Sequence, residues 1–330
     1  MLWTFIAAAL ASSPDPDALK TACSAGKGDA CRTLGGLYLV GAGVDADSTK
    51  GARFMEMACD AGDMQGCTQF GALALSGVGT AYAPLKSEAL FKKACDAGLG
   101  EPCHYLASQY LLGIGVDTNP ELARAHNLTA CQRRVAPACG HRGGMLELGV
   151  GYEGDMQLAV TMRQRGCDWG DATSCKKLGD IYAEGKGHAV DTAKAGSLYL
   201  QACKANDADG CLALGRLVQA GKVEATQGSD ADGMFARALE IAGHSCQSGS
   251  PTACLTVADV LRETDRSSDA DKLNLDVSTR LDSQCTGGDF TACLALADLY
   301  EKGHGVTAST DKVRALRARA CKIGASAMCD

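Results

Sequence analysis

Cys59-Asp-Ala-Gly-Asp-Met-Gln-Gly-Cys67 sets two cysteines eight positions apart, with a glycine at the third place after the first. The pattern returns as Cys23/Cys31, Cys95/Cys103, Cys131/Cys139, Cys167/Cys175, Cys203/Cys211, Cys246/Cys254, Cys285/Cys293 and Cys321/Cys329. With Cys59/Cys67, these pairs use all 18 cysteines. The first members step mostly by 36 residues, with steps of 43 after Cys203 and 39 after Cys246. A fixed period of this size marks a chain of stacked supersecondary units, a solenoid.

The glycine supplies the local geometry. It stands at the third place after the first cysteine at Gly26, Gly62, Gly98, Gly170, Gly249, Gly288 and Gly324. A helix often ends on a residue of positive φ, which glycine adopts without steric cost. An N-cap type follows at Asp63, Asp171, Asp207, Ser250 or Asp289, ready to accept from the free N–H groups of the next helix. The first cysteine therefore falls in the last turn of one helix and the second in the first turns of the next. A tight corner between them brings two Cα atoms to the roughly 5.5 Å that a disulfide requires. Each short closed loop adds ~2–3 kcal/mol. Free core thiols and a zinc site are the competing readings. The strict even pairing argues against the first, and the lack of close C-x2-C pairs or a Cys/His set argues against the second.

Outward from the corners, each repeat reads as two helices. In Cys31-Arg-Thr-Leu-Gly-Gly-Leu-Tyr-Leu-Val-Gly41, apolar or small residues recur at the third, fourth and seventh places after the cysteine. Leu34, Gly35 and Tyr38 occupy those places here, and Leu106, Ala107 and Tyr110, Leu178, Gly179 and Tyr182, and Leu296, Ala297 and Tyr300 elsewhere. Such spacing is one face of a helix. A glycine ends it at Gly41, Gly77, Gly113, Gly149, Gly185, Gly221 and Gly303, usually with a second glycine two places on. Because this G-x-G follows a helix and recurs by repeat, it reads as a helix stop and not as a phosphate loop. The second helix opens near Asp47, Asn119-Pro120 or Ser309 and runs to the next cysteine. The expectation is an all-α chain, an αα-hairpin solenoid of about eight hairpins over residues 23–330, with a disulfide at each inter-repeat corner.

Three repeats depart from the pattern. Arg134 stands where a corner glycine belongs. The sixth hairpin is longer, with 228–233 read as extra loop, and the seventh carries Thr264-Asp265-Arg266 in place of G-x-G.

Residues 1–11 end in Ala9-Leu10-Ala11 and read as a signal peptide, although the stretch opens without Lys or Arg. Residues 12–22 read as a polar lead and the start of a capping helix. Coupled to oxidised cysteines, the leader predicts a secreted or periplasmic protein, in an oxidising compartment. The net charge of −7 and pI of about 5.4 leave no electrostatic footprint for nucleic acid. No stretch after the leader approaches a membrane span.

Tyr38…Gly41-Ala-Gly43-Val44, Tyr110…Gly113-Ile-Gly115-Val116 and Lys194-Ala195…Tyr199…Ala202-Cys203 resemble the Sel1-like repeat, a relative of the tetratricopeptide repeat. With the cysteine pair between successive helices, the chain is similar to the Helicobacter cysteine-rich protein family. The resemblance covers about residues 20–330 and implies a TPR-like superhelix outside the cytosol that binds a protein, peptide or peptidoglycan-like ligand on its concave face. It also implies a weaker alternative, a β-lactam-binding protein or β-lactamase, since family members are credited with that activity. Disulfide-bearing Sel1-like proteins of the mitochondrial intermembrane space suggest a third reading, an assembly factor there.

The residues themselves show no catalytic set. Ser24-Ala-Gly-Lys27, Ser174-Cys-Lys-Lys177 and Ser309-Thr-Asp-Lys312 match the Ser-x-x-Lys of serine β-lactam enzymes, but neither Ser-Asp-Asn nor Lys-Thr-Gly accompanies them. His104, His126, His141, His188, His244 and His304 lack metal-ligand spacing, and no cofactor or metal is expected. One basic knot, Arg133, Arg134, His141 and Arg142 with Arg163 and Arg165 beyond, is a candidate to grip a carboxylate or phosphate. The competing reading is a solvated face where arginine stems cover alanine-rich helices.

Overall fold

The computed structural model describes residues 15–187, 189–224, 230–287 and 290–323. The expected leader over 1–11, residues 12–14 of the polar lead, and Gly288, Asp289, Gly324, Cys329 and His188 lie outside them. Among the described residues there are seventeen helices and no strand. A capping helix α1 (Pro16–Ser24) precedes eight hairpins. They are α2 (Gly28–Val40) with α3 (Ser48–Asp60), α4 (Met64–Ser76) with α5 (Pro84–Asp96), α6 (Gly100–Leu112) with α7 (Pro120–Gln132), and α8 (Ala136–Leu148) with α9 (Met156–Asp168). There follow α10 (Ala172–Glu184) with α11 (Thr192–Lys204), α12 (Ala208–Gln219) with α13 (Ala231–Gln247), α14 (Pro251–Glu263) with α15 (Ser267–Thr286), and α16 (Phe290–Lys302) with α17 (Thr310–Ile323). The chain divides into two compact units, residues 1–133 and 134–330, and each is built the same way.

The corners follow from their residues. Cys23–Cys31, Cys59–Cys67, Cys95–Cys103, Cys167–Cys175, Cys203–Cys211, Cys246–Cys254 and Cys285–Cys293 are disulfides, with Cα atoms 4.4 to 5.0 Å apart. Cys131, Cys139 and Cys321 are disulfide-bonded as well. At the corner after α3, Gly62 has φ 89°, its N–H bonds Cys59 O at 3.0 Å, and Asp63 N–H bonds Ala58 O at 2.9 Å. These bonds occupy carbonyls that the helix end leaves without partners. Asp63 then caps α4, accepting from the N–H groups of Gln65 and Gly66. Asp171, Asp207 and Ser250 cap their helices in the same way. Arg134 and Asn206 occupy the glycine position with φ 65°, so the corner imposes its backbone on whatever residue stands there.

Within the first six hairpins one sequence rule governs the packing. Met55, Phe91, Asn127, Arg163, Tyr199 and Phe235 recur every 36 residues and point from the second helix into a slot against the first. Opposite them stand Gly35, Gly71, Ala107, Gly143, Gly179 and Gly215. A Cβ at Gly71 would lie 2.8 Å from the Phe91 ring, at Gly179 2.6 Å from Tyr199 and at Gly215 2.5 Å from Phe235. The glycine is there because the partner is large, and alanine is accommodated at 107 where the slot residue is Asn127. Phe91 and Phe235 are the largest fully buried side chains among the described residues.

The G-x-G turns tie hairpins together on the opposite edge. The first helices end on left-handed Gly41, Gly77, Gly113, Gly149 and Gly185. α12 stops two residues short of Gly221, which still takes φ 65°. The second glycine approaches the previous second helix. A Cβ at Gly79 would fall 1.9 Å from Ser48 O, and at Gly115 2.3 Å from Pro84 Cβ.

The two irregular repeats resolve into longer helices. Part of 228–233, read from the sequence as loop, is helical. α13 opens at Ala231, with Asp230 accepting from Gly233 N–H, and runs 17 residues instead of 13. Phe235 reaches Gly215 from its first turns, and the extra length lies beyond it, since Cys246 follows Phe235 by 11 positions where Cys203 follows Tyr199 by 4. α15 runs 20 residues, following Asp265 with φ 58°.

Candidate binding surface

In the first unit α2 lies against α4; in the second, α8 lies against α10, α10 against α12 and α12 against α14. Among the described residues no two successive second helices approach as closely. The first helices α2 and α4, and α8, α10, α12 and α14, thus form closely spaced inner rows in their units, with the second helices outside them.

On the inner row of the first unit, Gln65, Thr68 and Gln69 of α4 and Leu99, Gly100 and Glu101 at the start of α6 enclose a groove of about 420 Å³. Its walls are mostly neutral and polar. Arg32 on α2 reaches the capping carboxylate Asp63 at 2.8 Å, which fixes the spacing of α2 and α4. On the inner row of the second unit, α12, α14 and α16 frame a groove of about 240 Å³ edged by Asp209, Thr256, Asp259, Asp298 and His304. Thr256 donates to Asp209 at 2.8 Å, and Arg216 meets Glu263 at 2.6 Å, so neighbouring first helices are cross-linked by polar pairs. Burial, with help from the Arg262 charge, holds His304 below the ordinary histidine value, so the ring is neutral near pH 7.

Three slot residues carry polarity through the hairpin toward the inner row. Asn127 Oδ1 lies 3.3 Å from His104 Nδ1, Arg163 donates to Glu147 at 2.7 Å, and the Tyr199 hydroxyl donates to Asp180 at 3.0 Å. Burial, reinforced by the Asp180 charge, pushes the Tyr199 hydroxyl well up. In the first unit the Tyr110 hydroxyl, donating to Glu88 at 2.7 Å, is pushed up to about 12 by burial first and by that bond second.

Four of the basic residues singled out in the sequence are each held by a different partner. Arg133 turns back to the corner after α5 and donates to Cys95 O at 2.8 Å and Leu99 O at 3.0 Å. Arg134 lies over the Trp169 ring, 5.4 Å from its centroid, and Arg142 donates to the Tyr152 hydroxyl at 3.1 Å. Arg163 is nearly buried against Glu147, while His141 and Arg165 are exposed. Sequence periodicity could place these side chains on helices, but it could not say toward which neighbour each would bend.

The Ser-x-x-Lys matches do not gather a nucleophile and a base. Ser174 is buried and bonds the carboxylate of Asp171, while Lys177 is exposed. Ser309 caps α17, and Lys312 Nζ turns to the Tyr300 hydroxyl at 3.0 Å. Among the described residues no three His, Cys, Asp or Glu side chains converge to hold a metal ion, and no helix is long and apolar enough to cross a membrane.

This geometry defines an αα-hairpin solenoid with disulfide-stapled corners and a polar inner row. The Sel1 repeat family model matches residues 28–63, 72–99, 103–133, 172–207 and 291–317. The chain is a Sel1-repeat protein. It is similar in fold to the crystal structure of a Sel1 repeat protein from Oxalobacter formigenes, with 20% identity and a TM-score of 0.59 over 68% of this chain and 88% of that one. It is also similar to a protective antigen present in uropathogenic Escherichia coli strains, with 19% identity and a TM-score of 0.53 over 92% of this chain; the match spans 63% of the length of that protein. No curated protein sequence matches the chain.

Proposed function

We propose that the chain is an exported scaffold that holds an extended peptide or protein segment along its row of first helices. The observation that carries this reading is the inner row itself. In each unit it carries a groove open to solvent and lined by hydrogen-bonding side chains, Gln65 and Gln69 in the first and Thr256 and Asp209 in the second. A surface of that kind pairs with the main-chain groups of an extended segment, and a stacked-repeat framework keeps it in shape without the ligand. Disulfides at successive corners suit a compartment where thiols are oxidised.

A photo-crosslinking amino acid at Gln69 or Thr256, compared with the exposed outer-row position Arg53, tests the reading in the envelope and secreted fractions of the native host. Adducts at the two inner positions and none at Arg53 are expected. Equal labelling at all three, or no adduct at any, overturns it.

A further inference from the structure

The staples differ in what lies beside their sulfurs. Arg133 Nη1 is 3.1 Å from Cys103 Sγ and 3.9 Å from Cys95 Sγ, while the same group bonds the Cys95 and Leu99 carbonyls. Those two bonds hold the guanidinium over the disulfide. At Cys59–Cys67 the nearest cation is Lys93, whose Nζ stays 3.9 Å from Cys59 Sγ. At Cys167–Cys175 the side chain that reaches the corner carbonyl is the neutral Gln201, at 3.4 Å. Among the seven staples whose Cα spacing is given above, Cys95–Cys103 has the closest positive charge.

We infer that Cys95–Cys103 is a thiol–disulfide exchange site, the staple that opens first to a small thiol. An incoming thiolate attacks Cys95 Sγ and forms a new S–S bond there. The Cys95–Cys103 bond breaks, and its electron pair leaves on Cys103 Sγ as a thiolate facing the Arg133 guanidinium. A second equivalent of thiol resolves the mixed disulfide, so two thiols become one external disulfide as the staple becomes a dithiol. A nearby cation lowers the pKa of a leaving thiol and stabilises the reduced form, which makes the couple more oxidising. Cys103 also lies in the first turn of α6, where the helix N-terminus favours a negative charge. The other six staples compared share that second feature, and the arginine distinguishes this one.

The oxidised protein is equilibrated in glutathione buffers of graded ratio, quenched with acid, alkylated, and read peptide by peptide. Cys95–Cys103 is expected to open at the most oxidising ratio, with the glutathione adduct on Cys95. Arg133→Met is expected to lower its reduction constant about tenfold, which is about 30 mV, while Arg133→Lys keeps most of the wild-type value. If Arg133 served only to brace the corner, its loss would loosen the staple and raise the constant instead. A raised or unchanged constant in Arg133→Met overturns the inference. So does earlier opening of another staple, such as Cys246–Cys254 with its part-exposed Cys246, or an adduct on Cys103.

Discussion

The glycine that faces a large slot residue tightly constrains a single side chain. Gly215→Ala places a methyl 2.5 Å from the Phe235 ring, which is itself buried. Overpacking of this kind costs ~1–3 kcal/mol, and the expected outcome is a lower urea midpoint. Gly215→Ala combined with Phe235→Leu should recover much of that loss, a coupling that a double-mutant cycle measures. His126 supplies a second residue-level test. It stacks on Tyr110 with centroids 5.7 Å apart, and burial first, then the Lys92 charge, holds its pKa below the ordinary value. Below the ordinary histidine value the unfolded ring takes a proton that the folded ring refuses, so acidification favours the unfolded state. His304 adds the same slope in the second unit. Stability should therefore fall as the pH drops from about 7.5 to about 5.5, and His126→Gln should flatten the decline.

At the scale of the helix and its corner, much was legible in the sequence. The helix stops at Gly41, Gly77 and Gly113 and the caps at Asp47, Asp63 and Asn119 stand where glycine and short polar side chains predict them. Local backbone chemistry decides those positions, and local chemistry can be read in a row of letters. The inner row was foreseen only as a face, and its grooves depend on how far successive first helices approach. The return of Arg133 to a corner more than thirty residues earlier, and the helical opening of α13 at 231–233, escaped notice because both are settled by contacts distant in sequence. Arg134 gives the test at this scale. An arginine in the left-handed region costs ~1–2 kcal/mol relative to glycine, and its cation–π contact with Trp169 returns only ~0.5–1. Arg134→Gly should raise the melting temperature modestly. Asn206→Gly should change it less, because asparagine tolerates that conformation and Asn206 accepts from Arg237 at 2.6 Å.

For the molecule as a whole, the staples set how stability is distributed. Each closes a loop between residues eight apart in sequence, so each stabilises its own corner by about 2.5 kcal/mol and has little effect on distant repeats. Replacing Cys59 and Cys67 together with alanine should accelerate amide hydrogen exchange in α3 and α4 and leave α14 and α15 unchanged. Uniform acceleration along the chain would contradict that locality. The placement of the sulfurs has one more consequence. Each bridge spans only the bend between a second helix and the next first helix, whereas the glycine turns inside the hairpins carry no covalent tie across them. A protease that nicks a bend leaves both fragments joined until reductant is added. A protease that nicks a glycine turn lets the two halves separate at once under denaturing, non-reducing conditions, so the chain is armoured at its bends and severable at its glycines.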